Sequence, residues 1–132
     1  MQYQSTLNRE QLIKLATKDY FGNVDAKNMD AVLDCFHDTA LFTIQTSHTV
    51  HEGKAGIRAM FQTFFDSYDI IVHKDFNCTV DVKNGRITAV FNVELADKDG
   101  NKSYMQNTNF WRVRGEKFQE VYVYMSGANV LV

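Results

Sequence analysis

The chain has 132 residues and carries 14 Lys and Arg against 16 Asp and Glu, a formal net charge of −2. That length suits one domain, able to bury roughly two-thirds of its unfolded surface without a metal or disulfide staple. The charges are interspersed, with no basic stripe to neutralise phosphates, and no apolar run approaches the roughly 20 residues of a membrane-spanning helix, so neither nucleic acid nor membrane is an expected partner.

Helical spacing dominates the first third. Ser5, Thr6 and Asn8 are candidate caps for a helix with Leu12, Ala16, Tyr20 and Val24 at four-residue steps, which Gly22 and Asn23 are expected to end or loosen. Asn28 caps a short second helix with a face of Met29, Val32, Leu33 and Phe36. TALFTIQ, from Thr39, reads as a strand. Gly53 precedes a third helix, with Ile57, Met60, Phe61, Phe64, Phe65 and Tyr68 as its apolar stripe. The period then switches to two. FNCTVDV and RITAVFNVEL are strands joined around Lys83-Asn84-Gly85, a hairpin signal. KDGNK is a second turn, and YMQNTNFWRV and KFQEVYVYM are strands joined around Arg114-Gly115-Glu116. Helices grouped ahead of an antiparallel meander indicate α+β: a curved antiparallel sheet closed into a cone by three N-terminal helices, with residues 1–132 as one domain.

The remaining composition fits that cone. Ten Phe, six Tyr and one Trp exceed what a minimal core needs and suit a concave apolar lining. Cys35 and Cys78 lie in apolar surroundings far apart in sequence, as reduced core thiols of a cytoplasmic protein do. MQYQSTLNRE lacks the charged-then-apolar layout of a signal peptide. Proline is absent, which argues against Pro-rich linkers.

His73 is ambiguous. In HKDFNCTVDV, strict alternation groups Phe76, Cys78, Val80 and Val82 on one face and puts His73 with Asn77, Thr79 and Asp81 on the polar one. Yet DIIV leads straight into it. A surface residue at a strand start and a base aimed into a pocket are both open readings. The other histidines are weaker candidates. His37 falls at the end of the second helix, where a cation suits the dipole. His48 and His51, with Glu52, lack a further ligand set, so no metal site is expected there; His51 could lie near a pocket mouth.

Three stretches carry a family resemblance: DYFGNVDAKNMDAVLDCFHDTALFTIQ, then HEGKAGIRAMF, then FQEVYVYMSGANVLV. They resemble the nuclear transport factor 2-like superfamily of α+β cones, in its SnoaL-like branch, related to ketosteroid isomerase and scytalone dehydratase. The resemblance covers nearly the whole chain. Set against the ketosteroid isomerases, it puts Tyr20 where a tyrosine donates to the dienolate oxygen. It puts Ile44 at the general base, Asn109 at the second oxyanion donor and Phe61 at a supporting tyrosine. Isoleucine cannot take a proton, so that mechanism is excluded. The dehydratase branch instead implies a His-Asp dyad, the His in a His-x-x-x-Asn context after the third helix and the Asp at the end of the first. His73 with Asn77, and Asp25, match it. Imidazole ordinarily titrates near 6.5 and can serve as a base at neutral pH, with Asp25 orienting it and Tyr20 or Asn109 polarising the substrate. No cofactor is implied.

By the same resemblance, Tyr20, Phe36, Phe42, Ile44, Phe61, Phe65, Phe91, Val93, Asn109, Trp111, Val123 and Met125 face the interior. A small apolar molecule (polycyclic, aromatic or terpenoid) is the expected ligand. Phe110, Tyr122 and Tyr124 fall on the outer face of the sheet, a patch suited to pairing two copies. The expected activity is a cofactor-free lyase or isomerase; the alternatives are a non-catalytic ligand-binding protein and a dimeric adaptor.

Overall fold

Asn8 starts the first helix. It accepts the Gln11 backbone N–H at 2.9 Å while the Gln11 side chain accepts its own N–H at 2.9 Å, a reciprocal capping box. The computed structural model, which describes residues 3–132, keeps the chain helical from there to Asp25; the first two residues of MQYQSTLNRE lie outside the described part. This helix, α1 (residues 9–25), has α-helical ends, Arg9–Lys14 and Phe21–Asp25, around a π-helical stretch, Leu15–Tyr20. The four residues expected on its inner face, Leu12, Ala16, Tyr20 and Val24, are all buried. The wide turn also buries Phe21, so two consecutive aromatics face the sheet. Gly22 and Asn23 do not end the helix. Gly22 lies on the solvent side, and Asn23 donates its Nδ2 to the Asp19 carbonyl at 2.7 Å.

Asn28 caps α2 (Met29–Asp34). Strand β1 then starts at Phe36, ahead of the expected Thr39, so Phe36 and His37 belong to a strand rather than to the second helix. Pairing decides this: Phe36 sits opposite Phe118 of the last strand, and the Phe118 N–H donates to the Cys35 carbonyl at 2.7 Å. Strand β1 (Phe36–Ile44) turns back into a short β2 (Thr49–Glu52), unsuspected from sequence because four residues show too little periodicity. Helix α3 (Gly53–Ser67) follows. Gly53 has φ +67°, and a Cβ there would meet the Asp38 carbonyl at 3.1 Å. Tyr68 opens β3 instead of extending the α3 stripe.

The strands β3 (Tyr68–Asp81), β4 (Arg86–Asp97), β5 (Lys102–Arg114) and β6 (Lys117–Tyr124) form the expected antiparallel meander. The sheet order is β2-β1-β6-β5-β4-β3. One pair departs from the expectation: β1 runs parallel to β6. That pairing lets an early strand join the end of the meander, with the helices folded across the inner face.

Aromatic rings fill the closed part of that face. The Tyr20 ring lies 4.7–6.1 Å from those of Phe21, Phe36, Phe61, Trp111 and Phe118, mostly edge-on. Such pairs add about 0.5–1.5 kcal/mol each beyond area burial. Phe118 is fully buried, stacked on Trp111 at 5.8 Å and edge-on to Phe36 at 5.4 Å. Burial, then the nearby Asp19 and Asp34, push the Cys35 thiol up to about 12.

Two outcomes follow. Phe118→Ala should destabilise the protein by about 3–5 kcal/mol, read from urea unfolding midpoints. At pH 8 Cys35 should resist alkylation in the native protein, with only about one thiol in ten thousand ionised, whereas the unfolded chain should label at both cysteines.

Candidate active site

His73 reaches the interior because β3 contains a bulge. His73 pairs with Val93 and Lys74 with Asn92, but the next pair is Asn77 with Val90, so β3 holds one extra residue between them. Asp75 takes φ +58° within that bulge, and its Oδ2 accepts from Asn92 Nδ2 at 3.0 Å. The extra residue resets the alternation. His73 and Phe76, on opposite faces by strict parity, now both pack against Phe21, at ring separations of 4.2 and 5.4 Å. The imidazole is therefore not a surface group: its side chain is 8% exposed.

Asp25, the last residue of α1, meets it there. Asp25 Oδ1 lies 2.6 Å from His73 Nδ1, and Asp25 Oδ2 accepts the His73 backbone N–H at 2.8 Å. One carboxylate thus binds both the ring and the strand that carries it. Nδ1 faces an acceptor and must hold a proton, which leaves Nε2 with a free lone pair. No residue among those described hydrogen-bonds Nε2.

His73 lines a cavity with Tyr20, Phe21, Val24, Phe61, Phe64, Phe91, Val93, Met105, Asn107, Asn109, Val123, Met125, Val130 and Leu131. With its mouth this space measures about 370 Å³, but a water-sized sphere has only about 20 Å³ in which to move. That is room for about one water molecule. A ring system is larger than that, so the lining has to yield for one to fit, and methionine, present there as Met105 and Met125, is well suited to such repacking.

Three more polar groups reach this space. Tyr20 is buried, and its hydroxyl has no hydrogen-bond partner among the described residues. Burial, then Cys35 and Asp25, hold its phenol well above the usual tyrosine range, so it stays a proton donor. Asn109 is 2% exposed, and its Oδ1 is unpartnered. Asn107 is anchored by accepting the Ser126 N–H at 3.2 Å.

The cavity therefore collects His73, Tyr20, Asn109, Phe61, Phe91, Val93, Val123 and Met125 from the expected set, with Asp25 behind His73. Phe36, Phe42, Ile44, Phe65 and Trp111 are buried but pack behind it and do not line it. The α1 face that stacks on His73, Phe21, escaped the sequence reading because a regular helix turns it away from Tyr20's neighbours. Val130 and Leu131 escaped because the segment after β6 has no periodicity. His37 Nε2 bonds the Arg114 carbonyl at 2.6 Å and His51 Nε2 the Leu131 carbonyl at 3.1 Å, while His48 is exposed in a turn. Among the described residues no group of three or more His, Cys, Asp or Glu could hold a metal ion, and no helix is long and apolar enough to cross a membrane.

A family model of the SnoaL-like domain matches residues 17–121. The chain belongs to the SnoaL-like family. Solved structures share its cone. A candidate polyketide cyclase from Xanthomonas campestris pv. campestris superposes with a TM-score of 0.79 at 20% identity, over 89% of this chain and 92% of that one. A candidate SnoaL-like polyketide cyclase from Shewanella denitrificans gives 0.79 at 12% identity, over 89% and 92%. An epoxide hydrolase/cyclase-like enzyme of pyran ring formation in the polyether salinomycin gives 0.79 at 14%, over 90% and 93%. At these identities the likeness shows the SnoaL-like fold. No curated protein matches the chain in sequence.

Asp25→Asn checks the tautomer directly. An amide oxygen can still accept the His73 backbone N–H, but its NH2 then faces Nδ1 and requires a lone pair there. The ring should switch from the Nδ1–H to the Nε2–H form, visible in its ¹⁵N chemical shifts; an unchanged tautomer would contradict the arrangement described.

Proposed function

We propose that this SnoaL-like protein is a cofactor-free lyase or isomerase acting by proton abstraction, with His73 Nε2 as the base. Asp25 orients the ring and stabilises the imidazolium that forms. Tyr20 and Asn109 donate to an oxygen where negative charge develops. The observation that carries this reading is the 2.6 Å Asp25–His73 contact, set at the wall of an apolar cavity. The ring-rich lining supports a polycyclic, aromatic or terpenoid ligand, and the two amides and the phenol support one that bears a carbonyl or hydroxyl. The relatives linked to cyclisation chemistry support an enolate-type or elimination step. Ile44, buried behind the cavity, cannot act as base, which favours the His-Asp route over that of the ketosteroid isomerases.

Turnover on a panel of polycyclic and terpenoid hydroxy-ketones tests this. His73→Gln should lower kcat/KM about 10²–10⁴-fold, and Tyr20→Phe about 10²-fold through kcat. Saturable binding with no turnover at any pH would instead establish a non-catalytic binding protein.

We also propose that two copies pair through the outer sheet face. Phe110 and Tyr122 are cross-strand neighbours there, and Tyr124 is 51% exposed. Tyr122 is fixed by donating to Glu120 at 2.8 Å. Tyr124→Glu should shift the sedimentation coefficient from dimer to monomer. The two free thiols favour a reducing, cytoplasmic setting.

A further inference from the structure

Immediately after Asp25 the chain reverses through Ala26, Lys27 and Asn28 before α2 begins. Lys27 holds the left-handed conformation of this turn, φ +55°, which a residue with a side chain adopts at some energetic cost. Its side chain reaches across to a different part of the fold. Nζ donates to the Phe65 carbonyl at 2.9 Å and also to the Tyr68 carbonyl. Those carbonyls are its hydrogen-bond partners among the described residues.

Both acceptors lie where α3 becomes β3. Phe65 is in the last turn of α3, and Tyr68 is extended, with φ −128° and ψ 131°. A helix that runs straight into a strand leaves its final carbonyls without helical partners, and a cation suits the negative end of the helix dipole. The ammonium meets both demands. It also ties two segments together. One bears Asp25, just before Lys27. The other opens the strand that bears His73. The Asp25 carboxylate bonds the ring and the backbone of His73 at once, so α1 and β3 must keep a fixed offset for both bonds to survive.

We propose that Lys27 is a positioning residue for the dyad: its ammonium clamps the α1–α2 turn to the α3–β3 junction and holds the Asp25 carboxylate in register with the His73 imidazole. The inference needs only the Asp25–His73 geometry, so it stands or falls apart from any turnover by the pocket.

Lys27→Met keeps the alkyl stem and removes the ammonium; Lys27→Arg keeps the charge and the donors. The readouts are the His73 ring ¹⁵N shifts and the exchange rate of the His73 amide, measured relative to the Trp111 amide in the central sheet. In folded K27M the His73-to-Trp111 exchange ratio should rise about tenfold or more, and the ring should average between tautomers. In K27R both should stay within about twofold of wild type. A merely structural clamp lowers the melting temperature and speeds both amides together. Wild-type ring shifts and an unchanged ratio in K27M would therefore overturn the proposal. If K27M does not fold, Lys27→Gln, which retains a short polar side chain, is judged by the same two criteria.

Discussion

One carboxylate holds the His73 end of this cone together. Asp25 accepts from the ring and from the backbone of His73, so it fixes both the imidazole's tautomer and the position of the strand that presents it. An ionised carboxylate is costly to remove from water unless its oxygens find donors. Here each oxygen has one, and the side chain stays 25% exposed, which limits the desolvation cost. The bulge at Asp75 and the final turns of α1 are what bring the two partners within reach.

The same end of the molecule departs most from ideal geometry. A π-helical stretch in α1 presents Tyr20 and Phe21 together, and a bulge in β3 presents His73 and Phe76 together. Each inserts one residue into a regular repeat. Insertions of this kind recur near functional sites because they re-aim side chains without changing the fold. Asn109 Oδ1 and Trp111 Nε1 are buried without partners at this end of the core. Unmet hydrogen-bonding capacity inside a protein is unfavourable. At Asn109, which lines the cavity, a ligand carrying a polar group would relieve it.

Membership of the SnoaL-like family and the shared cone set the scaffold, but they leave the chemistry to the side chains, since one fold hosts many reactions. The tight cavity adds a constraint. With space for about one water, the cavity is lined mainly by rings, methionine and valine, and it holds a larger molecule only if that lining yields.

The sequence by itself determined the class of fold and most of its elements. The four-residue spacing of Leu12, Ala16, Tyr20 and Val24, the apolar stripe of the third helix and the alternating strands after Phe76 are local periodicities, and burial against a single core makes them visible. It also marked His73, Asp25, Tyr20 and Asn109 through the family resemblance. Periodicity failed where long-range pairing overrode it. Phe36 entered a strand because Phe118 lay opposite, and β1 took the edge of β6 left open by the meander, running parallel to it. The direction of His73 could not be read from alternation, since a single inserted residue reverses which face a side chain takes. The meeting of Asp25 and His73 and the stacking of Phe21 on His73 depended on how distant segments settled against one another, as did the arrival of Leu131 at the cavity wall. Only the tertiary structure decides such contacts, because no short stretch of sequence encodes the distance between two others.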